Sequence, residues 1–401
     1  MSALNGAFEQ GDRDIKLGKI DMSALPPLPA GVEVDISPLP PLPASVEVAP
    51  DPVPTRPVHL VENLHVHPPA PPSHASPTPP SHDLHAEINE GSETESKLSS
   101  TSYSGPPPPA LRACLLDLAE PIAKRTHAAF YLRTLATPEA VAIVLEALQQ
   151  KKDSSLMRHE LAYILGQMGS ITACSALANI LQDEGDDVLV RHECAEALGA
   201  IGHASSAPVL GKYTSHPERT ISETCQIAVD LIAYRNSAAY AAEKQARHAG
   251  GGGKYLSVDP APPYADKKPV AALLADLLNG GQSLFLRYRA MFSLRDDGSD
   301  EAALALCQGF QDSSALFRHE IAYVLGQMQK AVTVDALTEV LKNTAEHRMV
   351  RHEAAEALGS IGGEDVEMVL GDFLDDPELV VTESCEVALD TLDYWEDFKH
   401  K

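Results

Sequence analysis

From about residue 110 to the C-terminus, apolar residues recur at helical spacing in segments rich in Ala and Leu and punctuated by Gly, Asp and Pro. With His159 at 0° on a wheel of about 100° per residue, Leu161, Ile164, Leu165 and Met168 fall between roughly 140° and 240° and form a buried stripe. His159, Glu160 and Tyr163 lie mostly off it. A second kind of segment behaves alike, with Leu198 and Ile201 on the stripe and His192, Glu193 and Glu196 away from it. Gly166, Gly199, Gly326 and Gly359 each follow one of these histidines by seven residues, on nearly the same face. A glycine there either leaves room beside an imidazole or caps the helix.

The segments are copies of one another. SSLMRHELAYILGQM (154–168) recurs as SALFRHEIAYVLGQM (314–328), and VRHECAEALGAIG (190–202) as VRHEAAEALGSIG (350–362). Each half holds about four units of roughly 30 residues, enough for two antiparallel helices, and stacked helix pairs of that length build a superhelix. The expected fold is all-α, an α-α superhelix of HEAT-like repeats in two duplicated halves, 110–235 and 271–401. Between them, 236–270 carries Gly250 to Gly253 and several prolines and reads as a flexible linker.

Composition sets residues 1–109 apart, because they hold 22 of the 31 prolines, none of the six cysteines, and only Phe8 and Tyr103 as aromatics. Such a stretch buries too little apolar surface to offset ordering entropy and reads as a disordered, Pro-rich extension. The formal charge of −26 disfavours a nucleic-acid partner and favours a basic protein or a cationic substrate. No apolar run is long enough to span a bilayer, and cysteines without a tight framework suit reduced thiols in the cytoplasm.

The chemistry lies in four Arg-His-Glu sequences, with dyads at His159-Glu160, His192-Glu193, His319-Glu320 and His352-Glu353. They are 33 residues apart within each half and 160 apart between halves, and the outer units of the array lack them. Confinement to the central units argues against a ladder of surface ion pairs, which stabilises little and needs no such placement. All eight side chains are candidate metal ligands. The zinc-protease HExxH pattern fails because Tyr163, Glu196, Tyr323 and Glu356 stand where the second histidine belongs. Imidazole with carboxylate suits iron, and open coordination positions suit dioxygen chemistry.

The dyads, their spacing, and the LGQM and EALGxIG continuations closely resemble the deoxyhypusine hydroxylase family over roughly residues 110–395. The resemblance implies an iron- and dioxygen-dependent monooxygenase with two irons per chain, acting on deoxyhypusine in a translation elongation factor and fed by an external electron donor. Matched by position, His159, His192 and Glu320 would hold one iron and His319, His352 and Glu160 the other. Glu193 and Glu353 would receive the substrate's amino groups, with Met349, Gly166 and Gly326 along the pocket. The competing expectation is a non-catalytic HEAT-repeat scaffold whose dyads only shape an acidic concave surface.

Overall fold

A computed structural model describes residues 107–249, 255 and 257–399. The expected Pro-rich extension, apart from its last three residues, and the run Gly250 to Gly253 lie outside the described residues. No strand occurs among them.

Each half is built from four helix pairs. In the first, outer helices α1 (Pro109–Leu116), α3 (Pro138–Leu148), α5 (Cys174–Leu181) and α7 (Ala207–Tyr213) alternate with inner helices α2 (Ile122–Leu135), α4 (Ser155–Met168), α6 (Val188–Ile201) and α8 (Arg219–Arg235). After α9 (Ala238–Ala249), outer helices α10 (Val270–Leu278), α12 (Asp300–Cys307), α14 (Val334–Lys342) and α16 (Glu364–Gly371) alternate with inner helices α11 (Leu284–Asp297), α13 (Ala315–Met328), α15 (Arg348–Ile361) and α17 (Leu379–Lys399). The halves close on each other at two seams, where α8 packs on α11 and α13, and α17 on α2 and α4.

A buried arginine holds five of the eight helix pairs together. Arg125, Arg158, Arg191, Arg287 and Arg351 each donate from Nε to the carbonyl ten residues earlier, at 2.7–3.1 Å, capping the outer helix of their own pair. Their remaining guanidinium donors meet Asp153, Asp186, Glu184, Asp312 and Asp376. Orphan carbonyls at a helix end need a donor, and a charged one in a dry site contributes about 1.5–3 kcal/mol. At the N-terminal ends of the dyad-bearing inner helices, Ser154, Asp187, Ser314 and His347 accept from the first-turn amides.

The four glycines seven residues after the histidines neither cap a helix nor sit beside an imidazole. Helices α4 and α6 end instead on Gly169 and Gly202, both left-handed. A Cβ on Gly166 would stand 2.9 Å from Ala197 Cα, and one on Gly359 would stand 2.8 Å from Ala388 Cα. These glycines let consecutive inner helices cross almost in backbone contact, which sets how closely the dyad-bearing helices lie.

The connection between the halves is more structured than its composition suggests. Helix α9 occupies part of it, and residues 257–264 form a strap across the inner helices. Val258 exchanges both backbone hydrogen bonds with the Gln167 amide at 2.8 and 3.3 Å, and Ser257 Oγ accepts from Gln327 at 3.0 Å. Gln167 and Gln327 are equivalent positions of the duplication, so one strap is fixed to both halves. Arg295 clamps Asp259 through two bonds of 2.8 and 2.9 Å.

Candidate metal centre

Each dyad histidine is the fifth residue of its inner helix: His159 on α4, His192 on α6, His319 on α13 and His352 on α15. Closure of the two halves turns these faces toward one another. The four imidazoles form one cluster with ring centroids 5.2–6.0 Å apart. None of the four histidines is more than 5% exposed. The wheel put them off the buried stripe, yet they are buried, because the opposite half covers a face that a single helix leaves open.

The dyad carboxylates close around the rings with the symmetry of the duplication. His159 Nε2 lies 3.2 Å from Glu193 Oε2, and its counterpart His319 Nε2 lies 3.3 Å from Glu353 Oε2. Glu160 Oε1 is 3.1 Å from His159 Nδ1. Two further carboxylates, Glu196 and Glu356, join all four dyad glutamates on the wall of a single cavity of about 370 Å³. In the sequence both stand where a second histidine is lacking, and Glu196 shares the off-stripe face of its dyad. Their signal was the spacing of four residues, one turn, after His192 and His352, repeated in both halves.

This density of buried polar groups is not self-satisfied. His159 Nε2, both ring nitrogens of His192 and His319, His352 Nε2 and Glu320 Oε1 have no hydrogen-bond partner; the 3.2 and 3.3 Å approaches are close in distance but poorly aligned. Buried polar atoms are normally paired. Burial, and then the charge of His159, push His192 and His352 well below the usual imidazole range and His319 to about 3. At His159 burial opposes protonation, but Glu193 and Glu160 more than offset it. Burial, and then neighbouring carboxylates, raise Glu196, Glu320 and Glu356 well above the usual range and Glu353 to about 8. Neutral imidazoles and crowded carboxylates without enough cations are what a pair of metal ions would satisfy. Three groups of potential ligand atoms lie within 4.8 Å of one another: His159, His192 and His319; His319, His352 and Glu353; and His192, Glu193 and Glu196.

The expected pocket residues separate. Gly326 is on the wall of the 370 Å³ cavity, whereas Gly166 is covered by Ala197 and is not part of that wall. Met349 lines a separate cavity of about 120 Å³ that reaches His192 from the other side, and its sulfur accepts from Thr220 Oγ1 at 3.8 Å. Above the histidines, Tyr163 and Tyr323 join hydroxyl to hydroxyl.

A closed ring of helical repeats with imidazoles and carboxylates buried on its inner helices defines a HEAT-repeat metalloprotein. Family models agree: HEAT repeats match residues 108–190 and 303–390, and a PBS lyase HEAT-like repeat matches 190–216, together spanning every dyad. The human deoxyhypusine hydroxylase is 45% identical over 71% of this chain and 91% of its own length, and that of Candida albicans is 45% identical over 68% and 87%. The solved human deoxyhypusine hydroxylase in complex with glycerol superposes with a TM-score of 0.65 at 44% identity, over 71% of this chain and 96% of that one. The chain belongs to the deoxyhypusine hydroxylase family.

Proposed function

We propose that the chain hydroxylates the deoxyhypusine side chain of a translation elongation factor, using two irons and dioxygen and drawing electrons from an external donor in the cytoplasm. The observation that carries this reading is the convergence of four imidazoles and six carboxylates on one buried cluster and its cavity. His159, His192 and Glu320 would hold one iron, and His319, His352 and Glu160 the other. When bound, the irons supply the activation of dioxygen. One of its oxygen atoms enters a substrate C–H bond and the other leaves as water, with two electrons from the donor and two protons.

The chain's own residues do the rest. Glu193 and Glu353, with Glu196 and Glu356 beside them, offer carboxylates to the cationic amines of the substrate side chain. In a cavity screened by Phe130, Tyr163 and Tyr323, such charge pairs are far less weakened by solvent than on an open surface. The scaffold alternative needs the dyads on a solvated surface, and their burial speaks against it. Among the described residues no helix is long and apolar enough to cross a membrane. Incubation of the deoxyhypusine-bearing factor with the iron-loaded protein, a reductant and dioxygen tests the proposal by mass spectrometry. One added oxygen atom on the modified lysine is expected; an unchanged mass with two irons bound would overturn it.

A further inference from the structure

The duplication that builds the centre should give it two equivalent entrances, one at each seam. At the seam of α17 with α2 and α4, a cavity of about 410 Å³ reaches inward to Glu160 and Glu356, and both also line the dyad cavity. Its outer wall mixes apolar Phe130, Leu156 and Val387 with Thr126, Thr391 and His127, the last held by Asp390 at 2.6 Å. The opposite seam holds the same wall 160 residues away. Glu196 stands for Glu356, Ile227 for Val387, Leu231 for Thr391, and Leu316 for Leu156. There, however, the space has shrunk to about 10 Å³, and the wall residues without a counterpart in the open cavity are Thr224 and, from the strap, Pro260. Pro260 and its neighbour Ala261 are buried. Equivalent wall positions thus enclose an open cavity at one seam and a filled one at the other; the bulkier Ile227 and Leu231 take up part of the difference, and the strap is the element without an equivalent.

We propose that the strap is a plug: Pro260, held by the Arg295–Asp259 clamp and by Gln167, closes one of two symmetry-related seam entrances, so that of the two seams the one between α2 and α17 admits substrate. That cavity fits an aliphatic stem ending in a cationic amine, because Phe130, Leu156, Val387 and Ala388 give the stem apolar contacts and Glu160 and Glu356 close its inner end. The choice of an amine side chain rests on the hydroxylase reading above; the plugging of one seam does not. Val387 and Thr391 are then specificity-determining residues along the stem, while Ile227 and Leu231 are packing residues under the strap.

Cysteine accessibility on the full-length, folded protein separates the outcomes. Val387→Cys and Ile227→Cys occupy equivalent walls, and Thr391→Cys and Leu231→Cys form a second pair if either of the first fails to fold. Alkylation by a small maleimide, located by peptide mass spectrometry, should be at least tenfold faster at Val387→Cys, and spermidine should slow it. In the Ile227→Cys background, Pro260→Gly, or Asp259→Asn as a second means of loosening the strap, should accelerate labelling severalfold. Equal labelling of the two walls with the strap intact, or no acceleration on loosening it, would overturn the plug. Absence of spermidine protection at Val387→Cys would overturn the entry route. Neither readout requires turnover, so a failed hydroxylation assay leaves this test standing, and the reverse also holds.

Discussion

The hydroxyl of Tyr163 lies 3.0 Å from that of Tyr323, its counterpart 160 residues later in the other half. Each tyrosine sits one turn beyond a dyad histidine, so the pair spans the duplication directly over the imidazole cluster. Gln327 donates to the Tyr323 hydroxyl at 2.9 Å and also to Ser257 of the strap, tying tyrosines, strap and both halves into one network.

Because the hydroxyls pair with each other in a part-buried site, Tyr323→Phe should destabilise the metal-free protein by about 1 kcal/mol. Tyr163→Phe should cost about as much, and the double variant little more than either single one. Urea unfolding of the four proteins measures this cycle. Strictly additive losses would mean that the two tyrosines act independently.

The two proposed irons would share one ring cluster, since His159 lies within 5.2–6.0 Å of each of the other three histidines by ring centroid. Replacement of His159 or His352 by Ala should therefore lose both irons rather than one. Plasma mass spectrometry reads the metal content, and circular dichroism should show the helices retained, since the buried arginines that hold the helix pairs of α2, α4, α6, α11 and α15 are untouched. A variant keeping one iron per chain would show the two positions to be independent.

A residue can be frequent in a repeat because the fold needs it or because the chemistry does, and the Arg-His-Glu sequences mix both. Arg125 and Arg287 make the same carbonyl cap as Arg158, Arg191 and Arg351 in units that lack a dyad. The arginine thus belongs to the helix pair, and only His-Glu belongs to the site. The two-fold duplication and the four helix pairs of each half were legible in the spacing alone, whereas that separation follows from the carbonyl caps. What was not legible arises from long-range closure. A wheel drawn on one helix cannot reveal that another half covers its polar face, so the dyads read as off-core although they are buried. Nor can it show that Glu196 and Glu356 share the cavity, or that a Gly/Pro-rich connection folds back to fill a seam.

Glu383 of α17 faces Ser154 at the start of α4 across one seam, and its counterpart Glu223 accepts from Ser314 Oγ at 2.5 Å across the other. Burial, against the help of Ser154, raises Glu383 to about 7. A carboxyl raised in the folded state binds its proton more tightly there than when unfolded. The stabilisation is therefore complete below the ordinary carboxylate range and is lost as pH rises through about 7. Glu383→Gln should be neutral near pH 4.5 and more stable than the parent at pH 8, by about 1–2 kcal/mol after allowing for partial solvent exposure. Thermal unfolding of metal-free protein at the two pH values checks it. An equal or larger gain at the lower pH would contradict the assignment.

The inner-helix glycines offer the sharpest contrast between equal substitutions. A Cβ at Gly359 would stand 2.5 Å from Ala388 Cβ and 2.8 Å from its Cα, so Gly359→Ala must force α15 and α17 apart. Backbone cannot yield as a flexible side chain does, and overpacking of this kind costs about 1–3 kcal/mol. Helix α15 also carries His352 and Glu353, so the displacement should weaken iron binding as well as stability. Ala388→Gly, which removes the opposing methyl, should restore much of both. At Gly211, within α7, an added Cβ meets nothing within 4 Å. There the same change should stabilise the protein by about 0.5–1 kcal/mol through helix propensity and leave iron content unchanged. Paired thermal melts and iron determinations on Gly359→Ala, its Ala388→Gly revertant and Gly211→Ala decide the matter. If Gly359→Ala bound iron like the parent, the close crossing would contribute nothing to the geometry of the centre.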